Sequence, residues 1–147
     1  MNMKLLVVVL IASVAGAGCA TQAKIERPGY AYGCPGDSDK IKSKSDLISA
    51  KLEMAGSIPH IDVVDLRCTE RTGPLRIDVD LKNTGNETRR IAYRFRWLDR
   101  EGMRAWDDET WKPLLIYGNT LYTVTTSVPT PEAADFKIVI MDQEKPQ

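Results

Sequence analysis

Two stretches leave this chain few folds to choose from. Leu75, Ile77, Val79 and Leu81 alternate with Arg76, Asp78, Asp80 and Lys82, and further on Ile91, Tyr93, Phe95 and Trp97 alternate with Arg90, Ala92, Arg94 and Arg96. A strand throws successive side chains to opposite faces, so each stretch reads as a half-buried strand with one apolar row and one wet row. Between them stands Asn83-Thr84-Gly85-Asn86. Asn and Gly tolerate positive φ, so the spacing predicts an antiparallel hairpin. With both apolar rows on one face of that hairpin, Asp78 and Asp80 fall near Arg94 and Arg96. Acids opposite bases across a hairpin contribute about 0.2–1 kcal/mol per pair, which accounts for the charges without any ligand.

Further short strands are expected at Ile61 to Thr69, Met103 to Trp106, Pro113 to Tyr117, Leu121 to Val128 and Phe136 to Met141, separated by Gly, Pro, Asn and Asp turns. No helical period appears after Pro59. About seven strands of this kind predict an all-β fold, two antiparallel sheets packed as an immunoglobulin-like sandwich. Ahead of them, Ser45 is placed to cap one short helix from Asp46 to Ala55, with Leu47, Ile48 and Leu52 toward the domain and Gly56 as its stop.

The N-terminus carries an address. Lys4 precedes an apolar run from Leu5 to Val14, followed by the small residues Ala15 to Gly18. That run is too short for a transmembrane helix, which needs roughly 20 residues, and has the layout of an export signal over residues 1–18. Gly16-Ala17-Gly18-Cys19 resembles the lipobox of bacterial lipoproteins, although Gly16 stands where a branched apolar residue is usual and Ala15-Gly16-Ala17 also suits an ordinary signal peptidase. The lipobox reading makes Cys19 a lipidated N-terminus, a stable membrane anchor because several acyl chains insert. Ala20 follows the cysteine in place of Asp, which by analogy with lipoprotein sorting implies the periplasm-facing side of the outer membrane. Residues 19–44, rich in Gly, Pro, Ser, Lys and Asp, read as a flexible tether. The domain is then residues 45–142, and 143–147 form a disordered tail.

Leu81-Lys82-Asn83-Thr84, the run Tyr93-Arg94-Phe95-Arg96-Trp97-Leu98-Asp99-Arg100-Glu101-Gly102, then Trp111 and the segment Pro129 to Phe136 resemble the YcfL-type periplasmic lipoproteins over roughly the last hundred residues. The most specific element is Tyr-x-Phe-x-Trp-x-Asp-x-x-Gly after an asparagine turn. The resemblance implies a sandwich fold and, from gene arrangement in the family, an envelope or cell-wall protein as partner; it implies no activity. It does not extend to Cys34 and Cys68.

Those two cysteines are argued from compartment. With Cys19 lipidated they form an even pair in oxidising surroundings, and a bridge across their spacing would stabilise by about 3–4 kcal/mol in the chain-entropy model. The alternative is a buried thiol, since Cys68 alternates in phase with Val64 and Leu66.

Twenty Lys plus Arg balance twenty Asp plus Glu, so the formal net charge of zero argues against nucleic acid as a partner. One histidine and three cysteines are poor material for a structural metal site or a histidine-based catalytic group. His60 has no partner motif. Asp107-Asp108-Glu109 lacks the spacing of a calcium loop. No cofactor and no enzymatic constellation is expected. Trp97 falls in phase with the apolar row and reads as core, whereas Trp106 and Trp111 flank a polar loop and are the candidate ligand or partner surface. The expected role is a non-catalytic interaction module in the cell envelope, and the alternative is peptidoglycan or glycan binding through the Trp106/Trp111 loop.

Overall fold

The computed structural model describes residues 29–143 apart from Thr72 and Asp108. The expected export signal, the expected lipidation site Cys19 and the last four residues lie outside the described part. In chain order the elements are β1 (Tyr30–Ala31), β2 (Cys34–Pro35), α1 (Lys44–Lys51), β3 (Leu52–Ala55), β4 (Ile61–Thr69), β5 (Arg76–Asn83), β6 (Arg89–Leu98), β7 (Lys112–Ile116), β8 (Leu121–Ser127) and β9 (Asp135–Asp142).

The fold is an all-β sandwich with one short helix. One sheet has the order β4-β5-β8 and the other β3-β9-β6-β7, with β1 and β2 forming a separate small hairpin. All pairs are antiparallel except β3, which runs parallel to β9. Ile77, Val79 and Leu81 of β5 are buried, as are Ile91, Phe95 and Trp97 of β6 and Phe136, Ile138 and Ile140 of β9. Phe95 stacks on Trp97 with ring centroids 5.5 Å apart, and Phe136 tilts against both.

The two alternating strands exist, but they do not form the expected hairpin. β5 pairs with β4 and β8, while β6 pairs with β7 and β9. The turn after β5 therefore passes from one sheet to the other, and the two apolar rows meet face to face across the core. Apolar rows placed this way bury each other, whereas side by side they would still need a third layer. Asn83 makes the crossing possible. It is fully buried, its Nδ2 donates to the carbonyls of Glu87 (2.7 Å) and Ile116 (3.0 Å), and its Oδ1 accepts from the Gly85 amide at 2.9 Å. The β7–β8 turn clasps this crossing: the Asn119 amide donates to the Gly85 carbonyl and its Nδ2 to Asn86 Oδ1, both at 2.9 Å. A Cβ on Gly118 would collide with the Asn86 carbonyl, which is why glycine stands there.

The charge pairing changes with the topology. Asp80 takes both guanidinium nitrogens of Arg67 on β4, at 2.7 and 3.0 Å, and the Thr123 hydroxyl on β8 at 2.7 Å. Asp78 accepts from Thr125 at 2.8 Å and from Arg76 Nε at 3.4 Å. Arg96 instead holds Glu53 of β3, at 2.9 and 3.2 Å. Neither acid faces Arg94 or Arg96.

The helix is shorter and begins earlier than expected. Ser43, not Ser45, is the cap, its hydroxyl accepting from the Asp46 amide at 3.0 Å. Residues Leu52 to Ala55 leave the helix to pair with β9 as β3, because sheet pairing satisfies their backbone along an edge the core provides. Leu47 packs fully buried. Lys51, only 3 % exposed, pairs with Asp135 and lies over the Phe136 ring; burial lowers its pKa against the opposing pull of that acid.

The expected tether over 19–44 is folded from Gly29 onward. Ala31, Cys34 and Ile41 are buried, few in number but each aimed into the core. Cys34 of β2 is joined to Cys68 of β4 in a disulfide. The strand expected at Met103 to Trp106 reduces to one bridge between Leu98 and Arg104, because the chain there turns back on Asp99.

Candidate functional site

The loop from Asp99 to Trp111 starts at the end of β6 and is built on its own turn chemistry. Asp99 Oδ1 accepts from the amides of Glu101 (3.0 Å) and Met103 (2.8 Å), and Gly102 takes positive φ. The Ala105 amide then donates to the Trp97 carbonyl at 3.0 Å, returning the chain to the sheet. Glu109 is turned back onto the sheet. One of its oxygens accepts from the buried Trp97 Nε1 and the other from Lys112 Nζ, both at 2.9 Å. Trp97 is thus core with a satisfied N–H. Among the described residues no cluster of His, Cys, Asp and Glu has the makings of a metal site.

Trp106 and Trp111 are on the surface, 49 % and 36 % exposed. They are not a matched pair. The Arg94 guanidinium covers the Trp111 ring at 4.6 Å from its centroid, a cation–π contact that occupies one indole face. Ring-to-ring contacts among the described residues run through Tyr93, Phe95, Trp97 and Phe136, in the core. Beneath Arg94 and Arg96, the outward-pointing Ala92 and Val139 are buried, so the arginine stems cover this face of the four-stranded sheet.

Hollows lie at both ends of the sandwich. One of about 450 Å³ is lined by His60, Thr84, Gly85, Asn86, Glu87 and Arg89. His60 is exposed in the turn before β4, with positive φ, and its carbonyl accepts from the Thr84 amide at 2.8 Å. It serves the crossing through its backbone. The other hollow, of about 570 Å³, lies between Glu70, Gly73 and Pro74 on one side and Val128, Pro129 and Pro131 on the other. Burial, and after it the hydrogen bond and charge of Glu70 on the rim, raise the Tyr30 phenol to about 12. The Pro129–Asp135 connector is tied down by the Ala134 amide on the Leu98 carbonyl at 2.8 Å and by burial of Ala133.

Sequence reasoning missed one polar network. Arg67, Asp65, Asp80, Thr123 and Lys44 join β4, β5, β8 and α1, with the Lys44 ammonium 2.7 Å from Asp65. Arg67 holds the Asp80 carboxyl, and Lys44 the Asp65 carboxyl, below the ordinary carboxylate range. Alternating Asp78 and Asp80 on β5, alternating Thr123 and Thr125 on β8, and Asp65 two residues before Arg67 on β4 were its only trace in the sequence.

Comparison with known proteins bears on the sandwich alone. The family model described as a protein of unknown function, DUF1425, matches residues 50–142. The chain belongs to that family. A structure of Campylobacter jejuni cj0090 superposes with a TM-score of 0.56 at 21 % identity, covering 63 % of this chain and 98 % of that one. A DUF1425 family member from Shewanella sp. pv-4 superposes with a TM-score of 0.50 at 25 % identity, covering 54 % of this chain and 75 % of that one. No curated protein matches. The DUF1425 match begins at Ala50, so β1, β2, Cys34 and most of α1 precede it.

Proposed function

We propose that this DUF1425 chain is a YcfL-type lipoprotein, anchored through lipid on Cys19 to the periplasm-facing side of the outer membrane, whose sandwich acts as a non-catalytic interaction or accessory module for an envelope or cell-wall protein. The Cys34–Cys68 disulfide carries this reading, because a structural bridge persists in an oxidising compartment and is rare in a reducing one. The export signal and the Gly16-Ala17-Gly18-Cys19 motif supply the route and the anchor. Metabolic labelling with a fatty acid and membrane fractionation of Cys19→Ala beside the parent test the address: the parent is labelled and sediments with outer membrane, and a parent left unlabelled in the soluble fraction defeats it. Crosslinking in intact cells followed by mass spectrometry then identifies the partner.

A glycan-binding role is the second reading, favoured by the exposed indole of Trp106. Indole faces stack on sugar rings, and peptidoglycan lies within reach of an anchored domain. Retention on peptidoglycan that falls with Trp106→Ala and Trp111→Ala supports it; no retention of the parent ends it.

A further inference from the structure

An open sandwich has sheet edges, and an edge strand presents backbone N–H and C=O groups to which another strand can add. Here the edges are β3 and β7 in one sheet and β4 and β8 in the other. Three are blunted. β3 has 4 residues and carries Glu53, and β7 carries Lys112 and Pro113, which has no N–H to offer. β4 is bulged between Val63 and Asp65, Lys44 donates to its Leu66 carbonyl at 3.1 Å, and the β1–β2 hairpin is bonded to its Cys68. β8 has none of these devices. Leu121-Tyr122-Thr123-Val124-Thr125-Thr126-Ser127 runs 7 residues without charge, Pro or Gly, and its register with β5 has no bulge. Thr123 and Thr125 spend their hydroxyl protons on Asp80 and Asp78 of their own sheet. Among the described residues, the outer side of β8 has no strand paired to it.

We propose that β8 pairs antiparallel with β8 of a second copy of this chain, joining two three-stranded sheets into one of six strands. A two-fold axis through Val124 pairs all 7 residues, setting Thr123 against the partner's Thr125 and Leu121 against the partner's Ser127. A second copy fits by charge. No charged residue stands on β8, and Asp80 of one copy lies three strand spacings, about 14 Å, from the partner's Asp78, beyond the screening length at physiological salt. Exposed Tyr122 on β8 and Tyr117 in the turn that leads into it add apolar area at the edge. An edge about 24 Å long buries less than the roughly 800 Å² per partner of a standard interface, so the dimer is weak in dilute solution. Confinement of two anchored copies to one leaflet raises their effective concentration; that part rests on the anchor proposed above, whereas the pairing does not.

The test uses the full chain extracted in density-matched detergent, followed by sedimentation equilibrium, with a photocrosslinking residue at position 125 in intact cells. The parent is expected to show a two-chain mass that dissociates on dilution, and a crosslinked adduct of twice the chain mass. Thr125→Lys, which puts a charge on the shared edge beside its own Asp78, weakens association at least tenfold with unchanged circular dichroism, while Thr125→Val retains it. Leu121→Glu, facing Lys82 within its own sheet, is the second disrupting variant. Cys19→Ala reports on the anchor separately, by fractionation, and keeps the same dependence on Thr125. A parent of single-chain mass at every concentration overturns the proposal, as does a Thr125→Lys chain as dimeric as the parent. Crosslinks to a different protein with none to a second copy overturn it too, in favour of a foreign strand.

Discussion

The segment from Gly29 to Lys44 and the loop from Asp99 to Trp111 exchange the roles their compositions suggest. The first is poor in large apolar residues and reads as a spacer, yet it is bound to the sandwich by a disulfide, by buried Ala31 and Ile41, and by Lys44 on the β4 edge. The second holds two tryptophans and a methionine, yet Met103, Trp106 and Trp111 are all exposed, and the loop is held through Asp99, the Ala105 amide and Glu109. Attachment follows from where a few residues point, and bulk composition is a poor guide to it.

The strongest way to break this contrast is to attack the point that the aromatic loop shares with the core. Trp97→Ala removes a fully buried indole and leaves Glu109 without its N–H partner, so a loss of about 3–5 kcal/mol is expected, read as a shifted urea midpoint. A variant within 1 kcal/mol of the parent would mean that the Trp97 site is not core. Next comes the hairpin's staple. Cys34→Ser with Cys68→Ser is expected to cost about 3–4 kcal/mol and to open residues 29–41 to proteolysis while the sandwich stays folded. Protection of that segment without the bridge would show that Ala31 and Ile41 hold it alone.

Glu109→Ala sharpens the loop side. It leaves a buried indole N–H unsatisfied and is expected to cost about 1–3 kcal/mol, with faster exchange at the Ala105 amide; unchanged exchange would separate the loop from Trp97. The acid limb of stability tests the β4 network that carries Lys44. Asp65 and Asp80 have folded pKa values below the ordinary 3.8, so their contribution is complete above that value and is lost as pH falls through the depressed folded values. Denaturation midpoints should therefore fall on acidification below about pH 4, and less steeply in Asp80→Asn; equal slopes would remove Asp80 from the network. The smallest effect belongs to Trp106→Ala, expected within about 0.5 kcal/mol of the parent because the side chain is largely exposed. A larger loss would show that the indole packs on the domain.

Much of the sandwich was legible because burial on one face of a strand imposes a period of two, and a period can be read without knowing what covers the face. Ile61–Thr69 was legible for this reason, as were β5 to β9 to within a residue or two. α1 was legible in kind but not in extent, since Ser43 and Ser45 are equally good caps by chemistry and only packing of Leu47 and pairing of β3 with β9 choose between them. The candidate surface was legible in part. The exposure of Trp106 and Trp111 follows from the polar loop that carries them, whereas the arginine over Trp111 comes from the neighbouring strand and has no local signal.

By itself the sequence determined the six strands β4 to β9, the faces that β5 and β6 bury, the identity of Trp97 as core and the pair of cysteines free to join. Only the tertiary structure decided that β5 and β6 belong to different sheets, that Asp80 belongs to Arg67, and that β8 is the bare edge. The physical reason is that alternation along one strand specifies a buried face but is silent about which surface buries it. That choice is made by contacts between residues far apart in the chain, and here it turns on the capacity of one buried amide, Asn83, to satisfy the backbone where the chain crosses between sheets.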